Sequence, residues 1–227
     1  MSTWTATNSE GYVAPAGLAA DMVALTVIDG VLHVLVTDRT EEPFKGMVSL
    51  PGGFVGPTES AEDTVQRHLT AKTGVGDVYF EQLGLYSDPG RDPRGWIPAM
   101  AFMALLPSDA RPSDSDARWE PVSGLPALAF DHGVMLDDAL DRLIGKLWWS
   151  NVAVGVLPGE FTMSQARTVY SAITGKQYDP STFARDLKKS GLIEETGSVL
   201  RGTGRPAALY RFRSRSLEWG AGRRRRA

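Results

Sequence analysis

From Met22 to Val36 the chain holds two runs rich in β-branched and aliphatic residues, Met22–Ile28 and Val31–Val36, separated only by Asp29-Gly30. Two such residues between two such runs predict a tight β-hairpin, because the turn needs positive φ where Asp and Gly tolerate it. A sheet begun this way must be covered, and the next segments supply the cover. A short run ends in Leu50-Pro51-Gly52-Gly53-Phe54-Val55, whose glycines permit close backbone approach. Ser60 and Asp63 have the spacing of a capping box, and Ala61, Val65 and Leu69 then recur at i+4 up to Gly74, which predicts a helix. Strands are expected over Val78–Tyr86 and Ile97–Leu106, with an exposed loop over Ser108–Asp116. A second helix is expected over Val134–Trp149, with Leu136, Leu140, Leu143 and Leu147 as its apolar stripe. Strands flanked by helices in this order predict an α+β layered domain over 20–150, preceded by a flexible segment 1–19.

After Leu157-Pro158-Gly159 the pattern changes. Thr162 and Gln165 form a second capping box, Ala166, Val169, Tyr170 and Ile173 make a buried stripe, and Gly175 stops the helix. Asp179-Pro180 opens another helix that buries Phe183 and Leu187 and ends at Gly191. Leu192–Thr196 and Ala207–Arg213 then flank a glycine-rich basic stretch, which predicts a β-hairpin. Helix, turn, helix and hairpin is the order of a winged helix-turn-helix, placed here over 151–215 with a basic, disordered tail over 216–227. Trp119, Trp148 and Trp149 are expected in the core or at the domain interface.

Charge divides at the same place. The whole chain has 24 Lys+Arg against 27 Asp+Glu, a net −3 that argues against a nucleic-acid partner. Residues 1–150 hold 10 against 21, or −11, whereas residues 151–227 hold 14 against 6, or +8. An acidic domain thus precedes a basic one, and the average describes neither. The absence of cysteine removes disulfides, thiolate metal sites and thiol nucleophiles. The start of the chain has no basic and apolar leader pattern and no long apolar run comes later, so a cytoplasmic protein without membrane attachment is expected.

Gly53, Glu59, Arg67, Leu69, Gly74 and Val75 stand at fixed offsets around the first helix. Positions 68, 71 and 72 fall at i, i+3 and i+4 on one face of it and carry His68, Ala71 and Lys72. An imidazole, a methyl and an ammonium are poor equipment for a hard dication, although a cationic face suits a diphosphate. The segment resembles the Nudix box, G-x5-E-x7-R-E-U-x-E-E-x-G-U, with the three glutamates after the arginine replaced. In Nudix hydrolases those glutamates hold Mg²⁺ against a diphosphate, so the resemblance implies a domain that binds without cutting. It implies no catalytic residue and no metal. Arg91-Asp92-Pro93-Arg94-Gly95 resembles a motif of Nudix domains that take ADP-ribose-like ligands; Arg91 and Arg94 would grip phosphate oxygens there, the alternative being a solvated loop.

In the basic segment, Ser181, Thr182, Arg185, Lys188 and Lys189 lie opposite Phe183 and Leu187. They suit phosphate and base-edge contact, unless the face is merely solvated. Arg201 and Arg205 sit in the hairpin tip, and Ser164 and Gln165 in the first turn of the preceding helix. Arg223–Arg226 is either a minor-groove arm or a solubilising tail.

Together, the altered Nudix box, Phe161–Tyr170, Asp179–Leu187 and Gly204–Phe212 resemble the Nudix-related transcriptional regulators, the NrtR family. The resemblance implies a Nudix-like α/β/α sandwich followed by a winged helix-turn-helix. It implies a homodimeric repressor of NAD-metabolism genes that binds a palindromic operator in double-stranded DNA and needs no cofactor. ADP-ribose or a related nucleotide would be the effector, held around Gly52, Gly53, Glu59, Arg67, Lys72, Arg91 and Arg94. The alternative is a Nudix hydrolase of ADP-ribose-like nucleoside diphosphates with a basic accessory domain.

Overall fold

The computed structural model describes residues 9–12, 17–76, 78–113, 116–201 and 206–215. The expectations for Arg205, for the tail 216–227 with Arg223–Arg226, and for most of segment 1–19 fall outside these residues.

Strands β1 (Ala19–Ile28) and β2 (Val31–Asp38) form the expected hairpin, with both turn residues at positive φ, 50° for Asp29 and 77° for Gly30. Two short strands come next, β3 (Val48–Ser49) and β4 (Gly52–Phe54), and then helix α1 (Ala61–Thr73). The capping box at Ser60 and Asp63 is present at its start and Gly74 ends it. Strands β5 (Phe80–Tyr86) and β6 (Ala99–Leu105) are both shorter than the sequence pattern suggests. β7 (Ala117–Pro121) precedes helix α2 (His132–Lys146).

The pairing of β1 decides where a cavity can form. One edge of β1 pairs in parallel with β6, from Ala19 with Ala99 to Leu25 with Leu105. The other edge is shared: Leu25–Ile28 pair with β2, whereas Ala19–Asp21 pair with β4. β2 therefore diverges from β1, and β3 and β4 fill the wedge, β3 pairing with β2 at Thr37 and Asp38. Gly52 is required at this crossing, since a Cβ there would lie 2.1 Å from Asp21 Oδ1 and 2.6 Å from the Ala20 carbonyl oxygen.

The sheet is buried on both faces, as strand alternation dictates. Ala20, Met22, Ala24, Phe102 and Ala104 face α1 through Val65 and Leu69. Val23, Leu25, Val27, Ala101 and Met103 face α2 through Met135, Leu136, Ala139 and Leu143. The result is the expected α/β/α sandwich.

The remaining chain is a winged helix-turn-helix: β8 (Phe161–Thr162), α3 (Met163–Thr174), α4 (Pro180–Lys189), β9 (Ile193–Leu200) and β10 (Ala207–Phe212), with a sheet in the order β8-β10-β9. The Thr162 capping box and the Asp179 cap with Pro180 behind it are both formed. β9 runs through Gly197 to Leu200, further than its composition suggests.

The two domains share one interior. The apolar cluster on the α2 face of the sheet continues through Leu147, Val152 and Val156 into Ala166, Tyr170, Phe183 and Phe212. Tyr170, fully buried, donates its hydroxyl to the Leu147 carbonyl at 3.0 Å. The Trp148 ring lies 5.0 Å from Tyr170 and 5.6 Å from Phe183, edge-on to both, at the interface expected of it. Trp149 departs from that expectation, being 46 % exposed. The β1–β2 turn also meets the second domain: a Cβ at Gly30 would lie 3.3 Å from Thr168 Cγ2. No described helix is long and apolar enough to cross a membrane.

Candidate effector cavity and nucleic-acid interface

Where β1 and β2 part, a cavity of about 360 Å³ opens. Asp21, Gly52 and Gly53 form one wall, and His68 and Lys72 approach from α1. Arg91, Asp92 and Arg94 come from the loop between β5 and β6, and Arg39, Phe130 and His132 complete the ring. Five of the seven residues expected around a ligand are thus brought to one cavity: Gly52, Gly53, Lys72, Arg91 and Arg94.

Glu59 and Arg67 are not in its lining. Their side chains pair with each other, Arg67 Nη2 lying 2.6 Å and Nε 3.1 Å from the two carboxylate oxygens, and the Gly56 amide also donates to Glu59 Oε1 at 2.9 Å. Arg67, and then Gly56, hold the Glu59 carboxyl down at about 2. The pair ties the loop after β4 to the middle of α1, which is a bracing role in this geometry.

Arg91 lines the cavity with its fork already engaged. Its Nε and Nη2 donate to the two oxygens of Asp131 at 2.9 and 2.7 Å, and Nη1 donates to the Ile97 carbonyl at 3.0 Å. Its side chain is 3 % exposed. The bidentate phosphate grip expected of Arg91 therefore points at a carboxylate of its own chain, because α2 delivers Asp131 to it. Arg94 is half-exposed and bonds Asp92 at 2.7 and 3.0 Å, with its guanidinium carbon 5.0 Å above the Phe54 ring and 5.8 Å from the Phe130 ring.

Sequence reasoning did not find Arg39, Phe130, His132, Asp131 or Asp21. Arg39 lies 4.7 Å over Phe130 and donates to the carbonyls of Pro43 and Glu41, and its charge is felt by Asp21. Phe130 thus carries arginines on it and is flanked by Phe44 and His132. The buried His132 accepts the Leu50 amide at Nδ1, 2.9 Å away, and burial, assisted by the Arg91 charge, holds its pKa at about 3. Its proton is accordingly on Nε2, facing Asp21 at 3.8 Å. Burial pushes the Asp21 carboxyl up to about 7, with Arg91 pulling against it and Asp131 adding to it.

The second surface is on α4. Ser181, Thr182, Arg185, Lys188 and Lys189 are all exposed while Phe183 and Leu187 are buried, so the expected polar and basic face exists. Arg185 is braced by its neighbour Asp186 at 2.9 Å. Lys188 is placed otherwise: its amino group lies 5.0 Å over the Tyr210 ring of β10, and the Tyr210 hydroxyl, then Glu195, keep its pKa above the usual value. Ser164 and Gln165 are exposed on the first turn of α3, where Gln165 Oε1 accepts the Thr162 amide at 2.8 Å. Arg201 is exposed at the end of β9.

A polar cavity in one layered domain, joined through a common core to a winged helix with a basic exposed face, is the architecture of a ligand-responsive transcriptional regulator. Residues 17–139 match the model of the NUDIX domain and residues 153–212 that of the NrtR DNA-binding winged helix domain. The chain belongs to the NrtR family of Nudix-related regulators. It is 31% identical to an ADPR responsive transcriptional repressor of Acinetobacter baylyi, over 86% of this chain and 81% of that one. Shewanella oneidensis NrtR complexed with a 27mer DNA has 35% identity and a TM-score of 0.75, over 86% of this chain and 93% of that one. The NUDIX domain of that protein complexed with ADP ribose has 37% identity and a TM-score of 0.52, over 60% of this chain and 93% of that domain.

Proposed function

We propose that this chain is a repressor of NAD-metabolism genes that binds operator DNA through α4 and the β9–β10 wing, and that ADP-ribose or a related nucleotide in the β1–β2 cavity releases it. The observation that carries this reading is that two elements run from the cavity to the winged helix. Helix α2 has Asp131 and His132 at the cavity and Leu147 under Tyr170 at its far end. The β1–β2 hairpin opens on the cavity and places its turn against Thr168 of α3. A ligand that shifts either end therefore bears on the DNA-reading domain.

Within the cavity, Gly52, Gly53, Lys72 and Arg94 are the ligand contacts we assign, with Arg39 and Phe130 added. Arg91, Glu59 and Arg67 position the walls. A palindromic operator requires two copies of the winged helix, which makes the active species a homodimer. His68, Ala71 and Lys72 in place of glutamates support binding without hydrolysis.

A gel shift on DNA upstream of the gene itself and of NAD-pathway genes, titrated with ADP-ribose, tests this. Operator binding that weakens with salt and is lost on adding ADP-ribose is expected. Binding indifferent to every NAD-related nucleotide would remove the sensor role. Steady turnover of ADP-ribose in Mg²⁺, abolished by Glu59→Gln, would support the hydrolase alternative instead.

A further inference from the structure

We propose that the cavity holds the diphosphate of its nucleotide without a divalent cation, the positive charge that a metal supplies elsewhere in the fold being built into α1 as Lys72. This rests on the reading of the cavity as a nucleotide site. A divalent ion of the Mg²⁺ kind needs several oxygen donors converging at about 2.0–2.1 Å. The helix face that would provide them presents the side chains of His68, Ala71 and Lys72. Both His68 and Lys72 line the cavity, so the substitution falls on the ligand-facing surface itself.

The carboxylates nearby do not assemble a substitute donor set. Glu59, the carboxylate that survives from the box, is held by Arg67 and the Gly56 amide and lies outside the cavity lining. Of the acids around the cavity, Asp131 is engaged by Arg91, Asp92 by Arg94 and Asp38 by Arg118, and burial disfavours the charged form of Asp21; Glu41 and Asp116 also line it, from the loop after β2 and from just ahead of β7. Among the described residues no group of three or more His, Asp or Glu side chains is arranged to hold a metal ion.

The residues present suit an anion instead. The His68 imidazole stands against the glycine loop, since a Cβ on Gly53 would meet its Nε2 at 2.7 Å. Burial, then the charges of Arg67 and Lys72, lowers its pKa, and Arg67 Nη1 stands 3.5 Å from its Nε2, so the basic character of this face comes from Lys72. Lys72 lies in the last turn of α1, and Ser113 fixes its backbone by donating its amide to the Lys72 carbonyl at 2.8 Å and its hydroxyl to the Ala71 carbonyl at 2.9 Å. A lysine held at its backbone beside a glycine loop is a point charge suited to phosphate.

Calorimetric titration of the full chain with ADP-ribose, once in Mg²⁺ and once in EDTA, decides the matter. We expect dissociation constants within about twofold of each other. Binding in Mg²⁺ that disappears in EDTA would overturn the proposal while sustaining the nucleotide reading; no binding in either buffer would overturn both. Lys72→Gln should weaken ADP-ribose binding about tenfold in EDTA at an unchanged melting temperature, with Lys72→Arg retaining most of it. Undiminished binding by Lys72→Gln would also overturn the assignment. The triple variant His68→Glu, Ala71→Glu, Lys72→Glu should bind only when Mg²⁺ is added, and equal binding in both buffers would count against the charge argument.

Discussion

Arg91 and Asp131, 40 residues apart in sequence, form a two-bonded ion pair of 2.7 and 2.9 Å that closes the cavity wall onto the first turn of α2. Arg91 is almost wholly buried, so removing its partner leaves a cation in a poorly solvated site. Asp131→Ala should cost about 3–5 kcal/mol of unfolding free energy, measured by urea denaturation. Because the pair anchors the end of α2 nearer the cavity, a milder change, Asp131→Asn, should leave operator binding intact while blunting its response to ADP-ribose. An Asp131→Asn protein that releases DNA at the wild-type nucleotide concentration would separate the pair from signalling.

Arg185 and Lys189 are exposed on α4, whereas Lys188 rests over Tyr210. Replacing Arg185 and Lys189 by alanine should weaken DNA binding at every sequence tested and reduce the slope of log affinity against log salt by about 2, about one for each phosphate no longer neutralised. Nucleotide affinity should not move. Lys188→Ala should act differently, loosening the wing with a smaller change in salt slope. Fluorescence anisotropy across a salt series distinguishes the two, and a slope reduced by about 1 in Lys188→Ala would show that Lys188 contacts phosphate after all.

Most of what was legible in the sequence is local. The Asp29-Gly30 turn, the capping boxes at Ser60 and Thr162 and the Asp179-Pro180 start each depend on residues within one turn of each other, and all are formed. The cavity was half legible. Gly52, Gly53 and Lys72 belong to one contiguous motif, but Asp21, Arg39 and Phe130 meet them only because β2 diverges from β1, a consequence of pairing that no single segment encodes. Arg91 reads as a phosphate fork until the fold brings Asp131 to it; the available signal was an aspartate just ahead of the apolar period of α2. β7 escaped because Ala-Arg-Trp-Glu-Pro lacks clean alternation, as suits a strand paired only along one edge of β2 and partly exposed.

The Tyr170 hydroxyl ties the far end of α2 to the buried face of α3 through the Leu147 carbonyl. Tyr170→Phe keeps the ring contacts with Trp148 and Phe183 but leaves that carbonyl without this donor. The cost should be about 1–3 kcal/mol by thermal or urea denaturation. If α2 carries the signal, the variant should bind DNA and ADP-ribose separately with near wild-type affinity and show a reduced effect of one on the other, measured reciprocally. Unaltered coupling at reduced stability would assign the signal to the hairpin and Thr168 instead.

Asp21 gives the fold a pH dependence whose sign can be worked out. Its carboxyl titrates near 7 in the folded chain because burial disfavours the charge, against an ordinary value of 3.8. The folded state therefore holds this proton more tightly than the unfolded chain does. Its contribution to stability is present in full below the unfolded value and is lost as pH rises through about 7. The Asp21 loss falls between about pH 4 and about pH 7, and Asp21→Asn, which cannot ionise, should remove it, so that melting temperature gains more with rising pH in the variant than in the wild type. The neighbouring His132 opposes it: burial holds its imidazole at about 3 in the folded chain against an ordinary 6.5, so over that interval the unfolded chain binds the extra proton and the His132 contribution grows as pH rises. An Asp21→Asn profile parallel to that of the wild type over that range would mean that Asp21 is ionised at neutral pH, with Arg91 at 3.8 Å outweighing its burial.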